Sequence, residues 1–317
     1  MATQSNDNYS AKDIKVLEGL EGVRKRFNVI ELSKKIKKRG DVLILSQELK
    51  IKPRTLNLAK DEGRVLNKFP ELQKSKAAVL AALKTDRELS LFSKRYNIYN
   101  LSARNLIKLI KKWKRNIQED PLLMLSQQEY DLIMGSLMGD SSVRQREKNS
   151  CFRFSHSIKQ KAYCDHKKRI LNEFNISEFR EVKRKINENF IHAIDFSTKT
   201  HQAFNYFRRL FYESGKKAIT SEILGKLNPQ SLAFWICDDG SYCRSLKYMI
   251  LCTNSYSLGE HKLMVKFFKE KFSISPKIGF RDGKYYYLRF NKKDTQKLAK
   301  IIRPFIPLSM KYKIGEE

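Results

Sequence analysis

The sequence predicts an α+β protein in which two pseudo-symmetric halves of αββαββα order follow a mostly helical, basic N-terminal region. Two observations predict the halves. Segments 133–140 and 232–240 are short and apolar and carry acidic residues at or next to their ends, and the strand and helix patterns after the first recur after the second. A third observation, a net charge of +30 from 64 Lys and Arg against 34 Asp and Glu, predicts a polyanionic partner.

Length and composition exclude several classes of protein. A chain of 317 residues, 41% of them hydrophobic, can hold two or three domains with their own cores. Five cysteines without a C-x-x-C spacing predict neither a disulfide framework nor a zinc site, and they favour a reducing compartment. No run approaches the ~18 apolar residues of a membrane span. We therefore expect no membrane partner, and a location in the cytoplasm (the bacterial nucleoid) or in an organelle matrix.

Residues 1–28 are predicted to be a leader. Within this leader, the segment from Asn8 to Arg26 resembles the start of the DNA gyrase B subunit, and the resemblance stops at Phe27. The simplest interpretation is an intervening-sequence reading frame fused to an upstream gyrase exon. An intein is less favoured, because Phe27-Asn28 offers no Cys or Ser nucleophile for protein splicing. A coincidentally similar amphipathic helix is the alternative.

Residues 29–120 are predicted to form a helical, helix-turn-helix-like basic extension. An apolar pattern recurs at one constant offset (89 − 42 = 47): Val42, Ile44, Leu45, Leu49 and Ile51 match Leu89, Leu91, Phe92, Tyr96 and Ile98. Polar turns follow each set, so candidate recognition helices begin near Pro53 and Ser102. Segment 107–115 places five cations around Trp113, a composition suited to phosphate. A helical spacer with a solvated basic face is the alternative.

The first half is placed at residues 121–224, because the basic run ends and Pro121 interrupts the helix. After an apolar helix ending near Asp140, the pattern predicts strands at 151–155, 180–185 and 190–197, with helices at 159–174 and 200–213. The second half, 225–317, repeats this order after Asp239. Its predicted strands are 247–253, 277–280 and 285–290, and its helices are 258–272 and 293–302.

The two motifs and the segments around them resemble the monomeric, two-motif LAGLIDADG homing endonucleases of mobile introns. The resemblance extends from about Gln127 to Lys313. Besides the motifs, it rests on segments 154–156 with 161–163, 201–205, 216–219, 227–233 and 310–313. It implies that the two motif helices pack side by side through small residues, and that two sheets form a DNA-binding saddle. Ser141, where the family usually has Gly or Ala, is a departure.

The resemblance also implies the catalytic residues. Asp140 and Asp239 would meet at the helix ends, and their mutual repulsion would be compensated by a divalent cation, Mg²⁺, with Gly139 and Asp238 as further metal-site residues. Asp238 would contribute through its backbone carbonyl or by supporting a ligand, and not as the main ligand. By motif position, Lys217 and Lys313 would project toward the scissile phosphates as catalytic lysines.

The strands after each motif would present alternate side chains to the major groove of DNA, where Arg and Asn read base edges and Lys holds phosphate. The candidate DNA-binding residues of the first half are Arg144, Arg146, Arg153, His156, Arg180, Lys183 and Lys185. Those of the second half are Tyr242, Arg244, Lys247, Asn254, Lys277, Arg281, Lys284, Tyr286 and Arg289.

The sequence therefore predicts a monomeric, Mg²⁺-dependent endonuclease that cuts double-stranded DNA at a long, asymmetric site. The intron-less allele of its host gene is the expected target. Two alternatives use the same saddle: an intron-splicing cofactor (RNA maturase) that binds intron RNA, and a DNA-binding repressor. The presence of both Asp140 and Asp239 favours cutting, because RNA binding requires neither acid.

Overall fold

A computed structural model describes residues 20–21, 23–24, 27–186, 189–213 and 215–316, and it leaves out the side chains of residues 39, 118 and 184–191. The chain divides into two compact units, one ending at Asp120 and the other spanning Pro121–Glu317. Most of the gyrase-like segment lies outside the described residues. Among those described, no helix is both long enough and apolar enough to cross a membrane.

The described part of the N-terminal unit is helical. Its α-helices are α1 (Val29–Lys35), α2 (Arg39–Leu49), α3 (Pro53–Lys68), α4 (Lys74–Leu80), α5 (Asp86–Arg95) and α6 (Ala103–Glu119). Helix α3 begins at Pro53, where the missing N–H has no intrahelical partner to lose. Gly63 lets α3 approach α1, because a Cβ there would lie 1.8 Å from the carbonyl oxygen of Val29.

Helix α6 is amphipathic, and its apolar stripe forms part of the core of the N-terminal unit. Leu106, Ile110, Trp113 and Ile117 are buried, whereas the lysines between them are exposed. Trp113 packs edge-on against Phe92, with ring centroids 5.9 Å apart. The sequence grouped Trp113 with the surrounding cations, but the helical period places it on the opposite face from them.

The first half of the second unit has the predicted αββαββα order, and its first strand, Ser142–Gln145, is one to which the residue pattern assigned no bounds. It contains α7 (Gln127–Met138), β1 (Ser142–Gln145), β2 (Ser150–Ser157), α8 (Lys161–Ile170), β3 (Arg180–Ile186), β4 (Asn189–Ser197) and α9 (Ala203–Phe211). Short α10 (Ser221–Gly225) connects it to the second half. Ser126 caps α7 in a reciprocal capping box with Glu129, which fixes where the motif helix begins.

The second half repeats that order. Its elements are α11 (Pro229–Asp239), β5 (Gly240–Cys243), β6 (Tyr248–Leu251), α12 (Leu258–Phe272), β7 (Lys277–Arg281), β8 (Tyr285–Phe290) and α13 (Lys292–Ile302). The strand predicted at 247–253 is shorter because Lys247 sits in a turn with φ of 54°, and the N–H of Cys252 donates to the carbonyl of Asp239 instead of to a neighbouring strand.

Each half contains a four-stranded antiparallel sheet, and the two sheets have equivalent orders, β1-β2-β4-β3 and β5-β6-β8-β7. One face of each sheet packs on helices, and both halves share one apolar core. The predicted α+β fold with two αββαββα halves and a helical N-terminal region is confirmed.

The motif helices α7 and α11 run together through the centre of this core. A Cβ on Gly135 would lie 2.0 Å from the carbonyl oxygen of Ser231, so only glycine allows this approach. At the helix starts, the amide of Asn228 donates to the buried carboxylate of Asp131 at 2.7 Å. These contacts bring the opposite ends, which carry the acidic residues, to one place.

Candidate active site

Asp140 lies at the exit of α7, two residues after the helix ends at Met138. Its side chain retains 48% of its exposure, so one edge of the carboxylate faces solvent. Desolvation of the inner edge and the nearby Asp238 carboxylate raise the pKa of Asp140 to about 6, while Lys167, Lys313 and Lys217 oppose that rise. The acid is thus accessible to solvent, and burial outweighs the nearby lysines in its effect on the pKa.

Asp239 is the last residue of α11 and occupies the equivalent place in the second half. The indole N–H of Trp235 donates to its Oδ2 at 3.3 Å. Burial, followed by the charges of Asp140 and Asp238, raises the pKa of Asp239 well above its usual value. The two acids at the helix ends are therefore close enough for the charge of Asp140 to disfavour ionisation of Asp239.

Lys217 and Lys313 approach the two acids in the same way. Lys217 donates from Nζ to the carbonyl oxygens of Gly139 at 2.7 Å and Ser141 at 3.2 Å, which flank Asp140. Lys313 donates to the carbonyl oxygen of Gly240, directly after Asp239, at 2.7 Å. Each lysine therefore anchors the turn that carries one acid. Burial lowers the pKa of Lys217.

Asp238 is not available to a metal through its side chain. Its buried carboxylate accepts from the Tyr163 hydroxyl at 2.8 Å and from Lys167 Nζ at 2.8 and 3.0 Å. A buried ion pair already occupies both oxygens, so only the predicted contribution through the backbone carbonyl or in support of Asp239 remains for Asp238 as a metal-site residue. Gly139 contributes only its carbonyl, which accepts from Lys217.

His156 does not face DNA. Only 4% of the residue is exposed, since it lies on the core face of β2 with Phe154. Its Nε2 lies 2.9 Å from Lys167 Nζ, and its Nδ1 lies 3.6 Å from Asp140 Oδ2. Burial and the Lys167 charge lower the pKa of His156 to about 3, so the ring is neutral. The prediction that it binds DNA is wrong because the strand alternation turns it inward.

The open face of the first sheet forms a basic concavity of about 590 Å³ that reaches Asp140. Among the predicted DNA-binding residues, Arg144, Arg146, Arg153 and Arg180 line it. Arg180 lies 3.7 Å from Asp195, an acid that also lines the concavity and that the sequence did not single out.

Two further lysines that were predicted to bind DNA, Lys183 and Lys185, lie on β3. Lys183 follows Arg180 by three residues on the strand, so the alternation of side chains places it on the opposite face of the sheet. Lys185 pairs with Phe190, and its side chain is outside the described set.

The second sheet presents a similar open face. Lys277, Arg281 and Arg289 share it by register, and Arg289 lies over the Tyr248 ring at 4.3 Å. The remaining predicted residues that lie outside the strands are Arg244 and Lys247 in the β5–β6 turn, Lys284 in the β7–β8 turn and Asn254 after β6.

Two tyrosines predicted to bind DNA lie on the opposite, helix-packed face. Tyr242 is paired with buried Met249 and contacts the C-terminal turn, where a Cβ on Gly315 would lie 2.5 Å from its ring. Tyr286 shares its sheet face with buried Leu288 and packs against His261, with ring centroids 5.7 Å apart. Their DNA-binding prediction is wrong for this reason. Tyr285 and Tyr287 occupy the open face instead.

Sequence reasoning missed Lys167, the central residue beneath Asp140. Its side chain is fully buried, and it lies on the same stripe of α8 as Tyr163 and Cys164. A lysine on the apolar face of an amphipathic helix was a usable signal, because such a position requires an acidic partner.

The described residues contain no group of three or more His, Cys, Asp or Glu side chains arranged to hold a metal ion. Any cation at this site would therefore be held by fewer protein side chains than in a closed structural site. The accessible oxygen donors at the helix ends are the carboxylates of Asp140 and Asp239.

Comparison with known proteins places this geometry in a family. The sequence profile of the LAGLIDADG DNA endonuclease family matches residues 130–298. The chain is 28% identical over 214 residues to the probable intron-encoded endonuclease 1 of Wickerhamomyces canadensis, covering 65% of this chain and 90% of that protein. It is 29% identical over 198 residues to the cytochrome b mRNA maturase bI2 of Debaryomyces hansenii, covering 60% and 75%.

A solved structure has the same fold. The homing endonuclease I-WcaI bound to its DNA recognition sequence superimposes with a TM-score of 0.56 at 25% identity, covering 61% of this chain and 88% of that one. The family profile spans both acidic motifs and both sheets. The chain therefore belongs to the LAGLIDADG DNA endonuclease family.

Proposed function

We propose that this protein is a site-specific endonuclease that cuts both strands of DNA with the help of a divalent cation. One observation carries the proposal: Asp140 and Asp239 lie at equivalent helix ends, and each is flanked by a lysine bound to the carbonyl oxygens beside it. Two such sets, each with one acid and one lysine, would provide one catalytic half-site for each strand of the DNA. A DNA-binding repressor would not require it.

The residues present fit a hard divalent cation. Burial and the charges of Asp140 and Asp238 raise the pKa of Asp239 against the opposing effect of Lys217, so a cation at these carboxylates would stabilise their ionised form. Asp140 and Asp239 would hold the cation through carboxylate oxygens, which Mg²⁺ prefers, with water and phosphate oxygens completing its shell. When bound, a cation would supply polarisation of the scissile phosphate, a lower pKa for a bound water and charge stabilisation for the leaving 3′ oxygen.

Lys217 and Lys313 would act from the rim of the site. Their bonds to Gly139, Ser141 and Gly240 fix the turns that carry the acids, and their charges lie close to where a phosphate would sit. We infer that each lysine both orients one acid and offsets negative charge developing on the phosphate.

The two open sheet faces would hold the DNA. Arginines dominate the first face, whereas tyrosines and aliphatic residues accompany the cations of the second. Because the two faces differ, a single chain would read a long, asymmetric target as a monomer. The gyrase-like leader suggests that this target lies in an intron-less gyrase B gene.

The test is cleavage of a supercoiled plasmid that carries an intron-less gyrase B gene, with Mg²⁺ and with chelator. We expect linear product with ends at one position in Mg²⁺ and intact plasmid with chelator. A plasmid lacking the insert is the matched control. Binding without cutting in Mg²⁺, Mn²⁺ and Ca²⁺ alike would contradict the endonuclease function, and cutting in chelator would contradict the metal requirement.

A second candidate function is assistance of intron splicing, which the similarity to a cytochrome b mRNA maturase favours. The same basic surface would then bind structured RNA. Splicing of the host intron transcript in vitro, with and without the protein, would test it. The double variant Asp140→Asn, Asp239→Asn would separate the activities, because splicing would survive the loss of both acids.

A further inference from the structure

Lys167 lies at the centre of a buried polar chain beneath Asp140. Its Nζ donates to Asp238 Oδ1 at 2.8 Å and Oδ2 at 3.0 Å, and lies 2.9 Å from His156 Nε2. Both partners of the ion pair have no exposed side-chain surface. Tyr163 also donates to Asp238, at 2.8 Å. A single ammonium group therefore links the second motif helix to the histidine beside the first acid.

The lysine determines which nitrogen of His156 carries the proton. An ammonium group has three donors and no lone pair, so Nε2 must accept and Nδ1 must be protonated. Nδ1 lies 3.6 Å from Asp140 Oδ2 and has no hydrogen-bond partner among the described residues. This distance exceeds that of a hydrogen bond, but the N–H faces the carboxylate and has nothing else to bind. A small movement of Asp140 would complete the bond.

The second half has no counterpart of this chain among its described residues. With Ser141 aligned to Gly240, strand register makes Thr253 the counterpart of His156, and Thr253 Oγ1 lies 2.7 Å from His261 Nε2. Helices α8 and α12 begin at Lys161 and Leu258, 97 residues apart like His156 and Thr253, so Lys167 corresponds to Met264, which is fully buried in the core. The second half thus has a threonine–histidine hydrogen bond at this place, whereas a buried lysine–aspartate ion pair lies beneath Asp140.

We propose that Lys167, His156 and Asp238 form a positioning unit for Asp140 alone, so that cleavage of one DNA strand depends on this unit and cleavage of the other does not. The proposal rests on the endonuclease function proposed above. The unit orients Asp140 through the Nδ1–H of His156, while Asp239 is oriented by Trp235 from its own helix. The two half-sites are chemically unequal, although their folds are equivalent.

The test is a strand-resolved cleavage assay, in which the two strands of a target duplex carry different end labels. His156→Phe keeps a ring in the core and leaves the Lys167–Asp238 pair intact, but removes the N–H that faces Asp140. We expect cutting of one strand to slow by about tenfold or more, as is typical when a partner of a metal-binding carboxylate is lost, while the other strand is cut at the wild-type rate. Nicked DNA with the nick always in the same strand should accumulate.

His156→Gln is the rescue variant, because its amide retains a donor and should restore most of the lost rate. Lys167→Met combined with Asp238→Asn removes the charge pair without leaving an unpaired charge, and should show the same strand bias as His156→Phe. Lys168→Ala changes the neighbouring, partly exposed lysine and should cut both strands at wild-type rates.

The results separate this proposal from the endonuclease function itself. A wild-type protein that cuts neither strand would refute the proposed function. A wild-type protein that cuts both, together with a folded His156→Phe variant in which both strands slow by the same factor or neither slows, would overturn the positioning unit. Melting temperatures of all variants establish that they are folded.

Discussion

Gly139 and Asp238 occupy equivalent positions in the two motifs, separated by 99 residues as Asp140 and Asp239 are, and they lie against each other across the helix pair. A Cβ on Gly139 would lie 2.6 Å from the Asp238 Cβ and 3.3 Å from its Oδ2. The side chain missing from the first motif thus makes room for the carboxylate of the second. The Asp238 carboxylate, which occupies this space, forms a buried ion pair with Lys167.

We predict that Gly139→Ala destabilises the second unit and slows cleavage. The added methyl would collide with Asp238, and such overpacking costs about 1–3 kcal/mol. Any shift of Asp238 would also disturb Lys167 and Asp140. Thermal unfolding and plasmid cleavage would measure both effects. Gly225→Ala is the matched control, because a Cβ there meets nothing within 4 Å; equal effects of both substitutions would contradict the steric explanation.

The sequence predicted the fold well because the apolar periods of its strands and helices agree with their tertiary positions. The predicted bounds of α12, 258–272, and of β8, 285–290, match the observed elements. The packing of the two motif helices was also predictable, because the motif residues are small where the two helices approach each other, as at Gly135. Strand 247–253 was overextended because a positive φ at Lys247 is a turn property that strand propensity does not reveal.

Assigning side chains to sheet faces was the weaker step. Arg144, Arg153 and Arg180 lie on the open face, but His156, Tyr242 and Tyr286 do not. Histidine and tyrosine suit either a DNA-facing surface or a half-buried core, so composition could not separate the two. The strand register decides which face of the sheet a side chain occupies, and a shift of the register by one residue exchanges the two faces. Buried Lys167 escaped attention for a related reason, since its partner Asp238 is 71 residues away in the chain.

A second prediction concerns the acids. Asp140→Asn and Asp239→Asn should each prevent formation of linear product while leaving DNA affinity within roughly an order of magnitude, because the acids hold the cation and many distributed cations hold the DNA. Plasmid cleavage and a binding titration in Ca²⁺ would measure the two properties. Asp165→Asn, at a half-exposed residue paired with Lys161 on its own helix, serves as the control. Linearisation by either variant at the wild-type rate in Mg²⁺ would refute a shared-metal mechanism.

A third prediction separates chemistry from binding at the lysines. Lys217→Ala and Lys313→Ala should lower the cleavage rate by about 10²-fold with little change in DNA affinity, because each removes one charge that acts at the phosphate and one anchor of an acid-bearing turn. Single-turnover cleavage at saturating protein would isolate the chemical step. Lys216→Ala, at the exposed neighbour of Lys217, should leave that rate unchanged. Parallel losses of rate and affinity would make the two lysines ordinary backbone contacts.

The last prediction concerns the N-terminal unit. Residues 121–317 contain both sheets, both motif helices and their shared core, so we expect this fragment to fold and to remain a metal-dependent nuclease. It should bind more weakly, protect a shorter stretch of DNA and show a shallower salt dependence, because the removed part carries the exposed lysines of α6. Each lost phosphate contact reduces the slope of log affinity against log salt by about 0.9.

Footprinting and salt titration of the full chain and the fragment on one target would test this. A matched control is the full chain with Lys108, Lys111 and Lys112 of α6 changed to Gln, which keeps the helices but removes three exposed charges. If these lysines contact DNA, this variant should lose part of the salt slope and the fragment should lose more. Identical footprints and slopes for all three proteins would mean that the extension does not bind DNA. An unfolded fragment would show that the two units depend on each other, so that the boundary at Pro121 does not separate independent domains.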